Sequence, residues 1–236
     1  MGQTSLPGSL PWNICSNTQL QLGWRDTDGD GVQDIVDTFP DTALNPYYPD
    51  PTNRTALSYS GSVAEIPYPN NNPFGTSRDI TINTITMVEF REDGGAWQNS
   101  SAVDGAFDES EELFAFTTSA LSSGAHLIET RGNNSVGNNE TSFASDTVTV
   151  DLIPPVTSLS CSSPSYAEGA TTYVSRRTNF TLTASDTSGV ASTYCKIDSG
   201  SWASYTGVFN LSDFSEGGHT IYFYSTDNAG NIEATN

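Results

Sequence analysis

The chain has 236 residues, with 8 basic against 28 acidic side chains and a formal net charge of −20. Nucleic acid and anionic membranes are held by clustered Lys and Arg, so this composition excludes both as partners. No segment has the unbroken apolar length of a membrane helix, and the length accommodates one large domain or two smaller ones, each with its own core.

Gly, Pro, Ser, Thr and Asn interrupt the chain at short intervals, and aromatics make up 11% of it, an all-β rhythm. Residues 1–23 stand apart from everything that follows. They carry apolar side chains at Leu10, Trp12, Ile14, Leu20 and Leu22 and read as an extended arm. Residues 1–20 lack the basic start and apolar middle of a signal peptide.

From Asp26 to Asp37 the string DTDGDGVQDIVD sets carboxylates at loop positions one, three, five, nine and twelve, with Gly31 at position six. Ca²⁺ takes about six to eight oxygens, and a short acidic loop closes round one ion only if its middle tolerates a sharp turn. Gly31 does. The expected ligands are Asp26, Asp28, Asp30, Asp34 and Asp37, with Val32 offering its backbone carbonyl. Asp37 departs from the pattern, since a longer Glu is usual at position twelve. Asp41 and Asn45 are candidates for a second ion. Pro40, Pro46 and Pro49 forbid a continuing helix, which excludes an EF-hand. The run DxDxDGxxDxxDxFPD resembles the thrombospondin type 3 and dockerin-like loops of secreted and cell-surface proteins. That resemblance implies an ion-stiffened connector over residues 24–50, placed outside the cytoplasm, with a leader either removed or not included in this numbering.

An internal repeat organises the remainder. VEFREDGGAW (Val88 to Trp97) aligns with TYCKIDSGSW (Thr193 to Trp202), and GAHLIETRGNNSVGNNE (Gly124 to Glu140) aligns with GGHTIYFYSTDNAGNIE (Gly217 to Glu233). The first copy carries extra residues between these blocks, and the acidic run Asp108 to Glu112 is the expected insertion. Alternation at Thr181, Leu182, Thr183 and at His219, Ile221, Phe223 predicts strands, and the Asp-Gly-Gly and Asp-Ser-Gly strings predict hairpins. In each, the Trp that follows is expected to cover the core edge. The predicted architecture is two tandem β-sandwiches over residues 51–153 and 154–236. The pattern D-x-G-x-W, G-x-H-x-I and D-N-A-G-N-x-E resembles the Ig-like and fibronectin-III-like repeats of prokaryotic surface and secreted proteins. It covers most of residues 77–236 and is looser in the first copy, where Asn134 to Asn138 read NSVGN. The resemblance implies spacers, stalks or adhesive units with no catalytic centre. Pro154 and Pro155 mark the boundary between copies.

His126 and His219 occupy the same place in both copies, with no nucleophile or ligand at constant spacing, so both are expected to maintain the fold. Trp97, Trp202, Tyr194, Tyr205, Tyr222 and Tyr224 could stack on a sugar, although core packing and strand preference explain them without a ligand. Cys161 and Cys195 fall in one copy and are expected to form a disulfide in an exported protein, leaving Cys15 unpaired. Asn53, Asn99, Asn133, Asn139, Asn179 and Asn210 begin N-x-S/T sequons, so covalent glycans are expected.

After GNNE the first copy continues into an alternating strand through Val148 and Val150, whereas the second ends a few residues after GNIE. A sandwich without its last strand leaves an unpaired edge that templates association. The arm could supply that strand to a neighbour by β-augmentation, and such a head-to-tail contact does not close, which generates a filament. The sequence therefore points to a structural subunit of an extracellular filament, a homopolymer stiffened by Ca²⁺. The alternatives are a stalk or adhesin segment of a larger surface protein and an accessory region of a secreted enzyme.

Overall fold

Proline has no amide hydrogen to donate, so it fits only the start or the edge of a sheet. Pro40 opens β1 (Pro40–Leu44), the edge strand of the first sheet. The computed structural model describes residues 24–70 and 78–236, and all regular structure among them is β-strand. The expected all-β class is what the chain adopts. The arm residues Leu10, Trp12, Ile14, Leu20 and Leu22 lie outside the described residues, as does Cys15.

Two units emerge. The first takes the described residues of 24–47 with Ala56–Ser119 and His126–Thr147, and the second takes Tyr48–Thr55, Ala120–Ala125 and Val148–Asn236. In the first, β1, β2 (Ser58–Glu65), β3 (Ile85–Glu92), β4 (Gln98–Asn99), β5 (Ser101–Ala102), β6 (Glu111–Thr117), β7 (Gly124–Asn134) and β8 (Ala144–Val150) form two four-stranded sheets. Their orders are β1-β2-β6-β5 and β4-β3-β7-β8. Burial follows the period of two. In β2, Tyr59, Gly61, Val63 and Glu65 turn inward while the serines between them face out. Leu57, Ile85, Val88, Phe114 and Ile128 form the core, each fully buried side chain contributing about 1.5–3 kcal/mol. β1 thus belongs to the sandwich, so the connector assigned to residues 24–50 is shorter than expected.

In the second unit, β9 (Val156–Cys161) pairs with β12 (Phe180–Ser185), and β10 (Ser165–Glu168) pairs with β11 (Thr171–Val174) as a hairpin. β13 (Val190–Ile197), flanked by β14 (Ala203–Ser204) and β15 (Ile221–Asp227), makes the opposing sheet. Phe180, Leu182, Leu211 and Phe223 fill the space between.

Four sequence expectations need correction. The acidic run is not simply a solvated insertion: Glu112 is buried at the start of β6, and its Oε1 accepts from the N–H groups of Asp108 and Glu109, both at 2.8 Å. The tryptophans after the hairpins lie on outer sheet faces rather than the core edge. Trp97 sits under the Arg91 and Arg131 guanidiniums at 4.5 and 4.3 Å with Phe143 edge-on, and Trp202 packs edge-on against Tyr224 beneath Lys196. Residues 232–236 already pair with β15 rather than leaving its edge bare. Glu233 N–H donates to the Ser225 carbonyl at 2.9 Å, and Asn236 exchanges backbone bonds with Phe223 at 3.0 and 3.3 Å.

The fourth correction is the disulfide: Cys161 and Cys195 are free thiols. Thr157 Oγ1 and Thr193 Oγ1 both meet Ser225 Oγ, at 2.6 and 2.8 Å, which sets the two strands level at that point. Cys161 lies four residues from Thr157 and Cys195 only two from Thr193. At about 3.3 Å per residue the thiols are offset by roughly 7 Å or more, beyond the Cβ separation a disulfide accepts. Burial pushes the Cys195 thiol pKa up, so it packs as an apolar group.

Candidate metal centre and the repeated polar clamps

The acidic loop leads into β1, and its backbone is shaped by its own carboxylates. Asp26 accepts from the N–H groups of Gly29 and Gly31 at 2.7 and 3.1 Å, Asp28 from Asp30, and Asp30 from Val32 at 2.7 Å. Gly29 and Gly31 adopt φ of 83° and 96°, the left-handed region that a side chain resists. The result gathers Asp26, Asp28 and Asp30, one carboxylate oxygen of each lying within 4.8 Å of the others. All three are exposed.

Asp34 and Asp37 stand apart from that triad. Asp34 accepts from Thr27 N–H and Oγ1 at 2.8 and 2.7 Å, pinning the loop on itself. Asp37 Oδ1 accepts from Asn138 Nδ2 at 2.7 Å, which ties the end of the loop to the first sandwich. Of the five carboxylates expected to converge, three do. Val32 is half-buried, with its N–H already engaged by Asp30. Asp41 is exposed on β1, and Asn45 donates to Ser60 Oγ, so neither joins the loop.

His126 and His219 each close a hairpin. Asp93 and Asp198 sit at φ of 51° and 52° in the β3–β4 and β13–β14 turns, a conformation Asp tolerates better than most side chains. Their Oδ2 atoms meet His126 and His219 Nδ1 at 2.7 Å, while their Oδ1 atoms accept from the N–H groups of Leu127 and Thr220. His219 Nε2 also lies 2.8 Å from the Ser215 carbonyl. Two acceptor oxygens on one ring favour a proton on both nitrogens, and the Asp198 contact with this carbonyl raises the His219 pKa. The same hydrogen bond lowers that of Asp198.

The sign of the pH effect follows. His219 contributes its full stability below its ordinary value of 6.5 and loses it as pH rises through the raised value. Asp198 contributes above its ordinary 3.8 and loses it as pH falls through the lowered value. Thermal unfolding of wild type and His219→Asn should therefore differ most between those values, and the gap should close on the alkaline side. A gap unchanged from acid to alkaline pH contradicts the ion-pair account.

A second repeated clamp escaped sequence reasoning, although Glu140 and Glu233 close the aligned GNNE and GNIE strings. Glu140 accepts from Thr42 N–H and Oγ1 on β1 at 3.1 and 2.5 Å, and from Gly132 N–H on β7 at 3.0 Å. Glu233 accepts from Thr157 N–H and Oγ1 on β9 at 2.9 and 2.5 Å, and from Ser225 N–H on β15 at 3.1 Å. In both copies one carboxylate bridges the two facing sheets. Burial raises the Glu140 pKa.

The six aromatics do not form one platform. Trp202, Tyr194 and Tyr224 stack on the outer face of β13–β15, whereas Tyr205 turns inward, its hydroxyl accepting from Leu182 N–H. Among the sequons, Asn53, Asn99, Asn139, Asn179 and Asn210 are exposed. Asn133 is half-buried, with its Nδ2 donating to Asn139 at 2.7 Å.

No protein-family model and no curated protein matches this chain. Among solved structures it is similar to the fibronectin(III)-like modules of Clostridium thermocellum CbhA, at 15% identity over 83% of this chain and 90% of that one, with a TM-score of 0.35. It is also similar to a tetra-tandem repeat in the extending region of a large adhesion protein, at 17% identity over 84% and 48% of the two chains and a TM-score of 0.28. A third likeness, to the sulfane dehydrogenase SoxCD from Paracoccus pantotrophus, has 18% identity, a TM-score of 0.29 and 42% of this chain, which spans only 23% of that one. At these scores the likeness carries no functional information, and the residues themselves must.

Proposed function

We propose that this chain is a structural segment of an extracellular or cell-surface protein, a pair of Ig-like spacers whose leading loop is stiffened by Ca²⁺. The observation that carries this reading is the loop itself. Asp26, Asp28 and Asp30 converge, while Asp37 at the far end is tied to Asn138 of the first sandwich. All-oxygen donors on a short Gly-containing turn suit Ca²⁺, which when bound neutralises three carboxylates that otherwise repel. The chain's own part is to hold them close through the Gly29, Gly31 and Val32 amides. Both histidines, the obvious acid–base candidates, serve as turn clamps. Exposed Asn53, Asn99, Asn139, Asn179 and Asn210 are the sequons best placed for glycans.

Chelation should open the chain to protease within residues 24–37 and leave both sandwiches intact, because their strands are held by backbone pairing and by the Glu140 and Glu233 clamps. Equal cleavage with calcium and with chelator would sink the loop assignment.

Strand donation into a head-to-tail homopolymer is the second reading. The pairing of residues 232–236 along β15 means that an incoming arm must displace them or add beyond them. Negative-stain microscopy separates the two readings: the spacer gives discrete particles at all concentrations, whereas strand donation gives filaments that vanish when residues 1–22 are deleted.

A further inference from the structure

The clamps show which residues of the two copies correspond. Thr42 and Thr157 are held by equivalent glutamates, and their cross-strand partners are Val63 and Ala184. Two residues further on stand Glu65 and Asp186. Asn134 and Asp227 end β7 and β15, and each caps the turn that follows. Asn134 Oδ1 accepts from the Val136 and Asn138 amides at 3.2 and 2.9 Å, Asp227 Oδ1 from the Gly230 and Asn231 amides at 2.7 Å. Asn138 and Asn231 then reach back to the residues entering the first strand, Asn138 Nδ2 to the Asp37 carboxylate and Asn231 Nδ2 to the Asp151 carbonyl at 2.8 Å. Corresponding polar positions therefore stand at the same end of each sandwich, Asp37, Glu65 and Asn134 in one and Asp151, Asp186 and Asp227 in the other.

In the second pocket one oxygen of each aspartate lies within 4.8 Å of the other two, and Asp151 and Asp227 are only 5% and 3% exposed. Among the described residues, ion pairs engage Arg91, Arg131, His126 and His219 with other carboxylates, and none reaches this group. The donors here are neutral: Ile153 N–H and Thr187 Oγ1 to Asp151, Ser188 to Asp186, and Asn231 Nδ2 to Asp227. They share the carboxylate lone pairs but leave three like charges together, largely out of water, a costly arrangement without a cation.

The first pocket supplies an independent pointer. Glu65 is 5% exposed, and its Oε2 accepts from Thr38 Oγ1 at 2.7 Å and from Asn134 Nδ2 at 3.3 Å. Its Oε1 is buried with no hydrogen-bond partner at all. A carboxylate oxygen in that state has lost its water and received nothing in exchange. It occupies the place of Asp186.

We infer that each pocket is a divalent-cation site separate from the Asp26–Asp30 loop. Asp151, Asp186 and Asp227 are the ligands in the second sandwich, and Glu65 with Asp37 in the first. Donors that are all oxygen, with no thiolate or imidazole, select a hard cation, and an irregular set of carboxylates and carbonyls suits Ca²⁺ better than the strict octahedron of Mg²⁺. With Asn134 in place of Asp227, the first pocket carries less charge and is the weaker site. The cation would lock the end of β15 to the segment entering β9, and the end of β7 to the segment entering β1.

Calcium stoichiometry of the full chain, measured by native mass spectrometry and titration calorimetry with Ca²⁺ alone, tests this. The triple variant D26N/D28N/D30N disables the loop, so loss of binding there and loss of binding in the pockets are read separately. On that background calcium uptake should persist. Asp186→Asn should weaken one site by about tenfold or more, and adding Glu65→Gln should abolish what remains. Asp186 is half-buried and the substitution keeps its volume, so circular dichroism should be unchanged, and melting in chelator should not fall, because one of three mutually repelling charges has been removed. A loop-disabled chain that takes up no calcium at millimolar free ion, or whose uptake survives both substitutions, overturns the inference.

Discussion

Replacing Glu140 by alanine should cost the first sandwich about 2–4 kcal/mol and free β1 from its sheet. Its carboxylate is buried and is the acceptor for Thr42 N–H, Thr42 Oγ1 and Gly132 N–H, donors on two facing sheets. Alanine takes the acceptor away from all three. Glutamine is the sharper probe. Its oxygen in the Oε2 position keeps the bonds from Thr42 Oγ1 and Gly132 N–H, but the amide nitrogen then stands where Oε1 accepted from Thr42 N–H and faces a donor. Glu140→Gln should therefore fall between wild type and alanine. Chemical denaturation gives the stability change, and amide exchange at Thr42 and Ala43 shows whether β1 is the part that opens. A loss below about 0.5 kcal/mol for alanine would mean that the glutamate does not hold the sheets together.

Gly61→Ala should be worse than a methyl added at any other described glycine, at about 3 kcal/mol or more. Gly61 lies in β2 between Leu44 of β1 and Phe114 of β6 and points inward. A Cβ there would stand 2.2 Å from the Ala43 carbonyl oxygen and 2.4 Å from Phe114 Cζ. Phe114 is fully buried and stacks towards Phe116, so its ring has nowhere to turn, and the carbonyl is backbone. Relief requires β1 to move away from β2. Shrinking the ring with Phe114→Leu should leave most of the defect in place, because the contact with Ala43 remains. Full rescue by Phe114→Leu would put the strain on the ring instead. The urea midpoint of the single and double variants decides between them.

The alternating strands, the repeated hairpins and the paired histidines were legible because they are local or periodic. A period of two, an Asp-x-Gly turn and a His at the same place in both copies leave their mark within short strings, whereas the pairing of those histidines with Asp93 and Asp198 does not. The acidic loop was legible for the same reason, although only Asp26, Asp28 and Asp30 of its carboxylates converge. Asp34 bonds within the loop to Thr27, while Asp37 is claimed by Asn138, a residue that no spacing rule connects to it.

What the tertiary structure alone decided involves partners far apart in the chain. The Glu140 and Glu233 clamps join strands from opposite ends of each copy, and the Asp151, Asp186 and Asp227 pocket draws on three separate segments. The offset that keeps Cys161 and Cys195 apart depends on how two sheets are levelled by Thr157, Thr193 and Ser225. The outward placement of Trp97 and Trp202 depends on which face of its sheet each residue joins. Chain composition and local pattern determined that two β-sandwiches form, since burial of alternate side chains requires little more. Where a carboxylate, thiol or indole ends up within them depends on strand register and sheet facing, which arise only when distant segments pack.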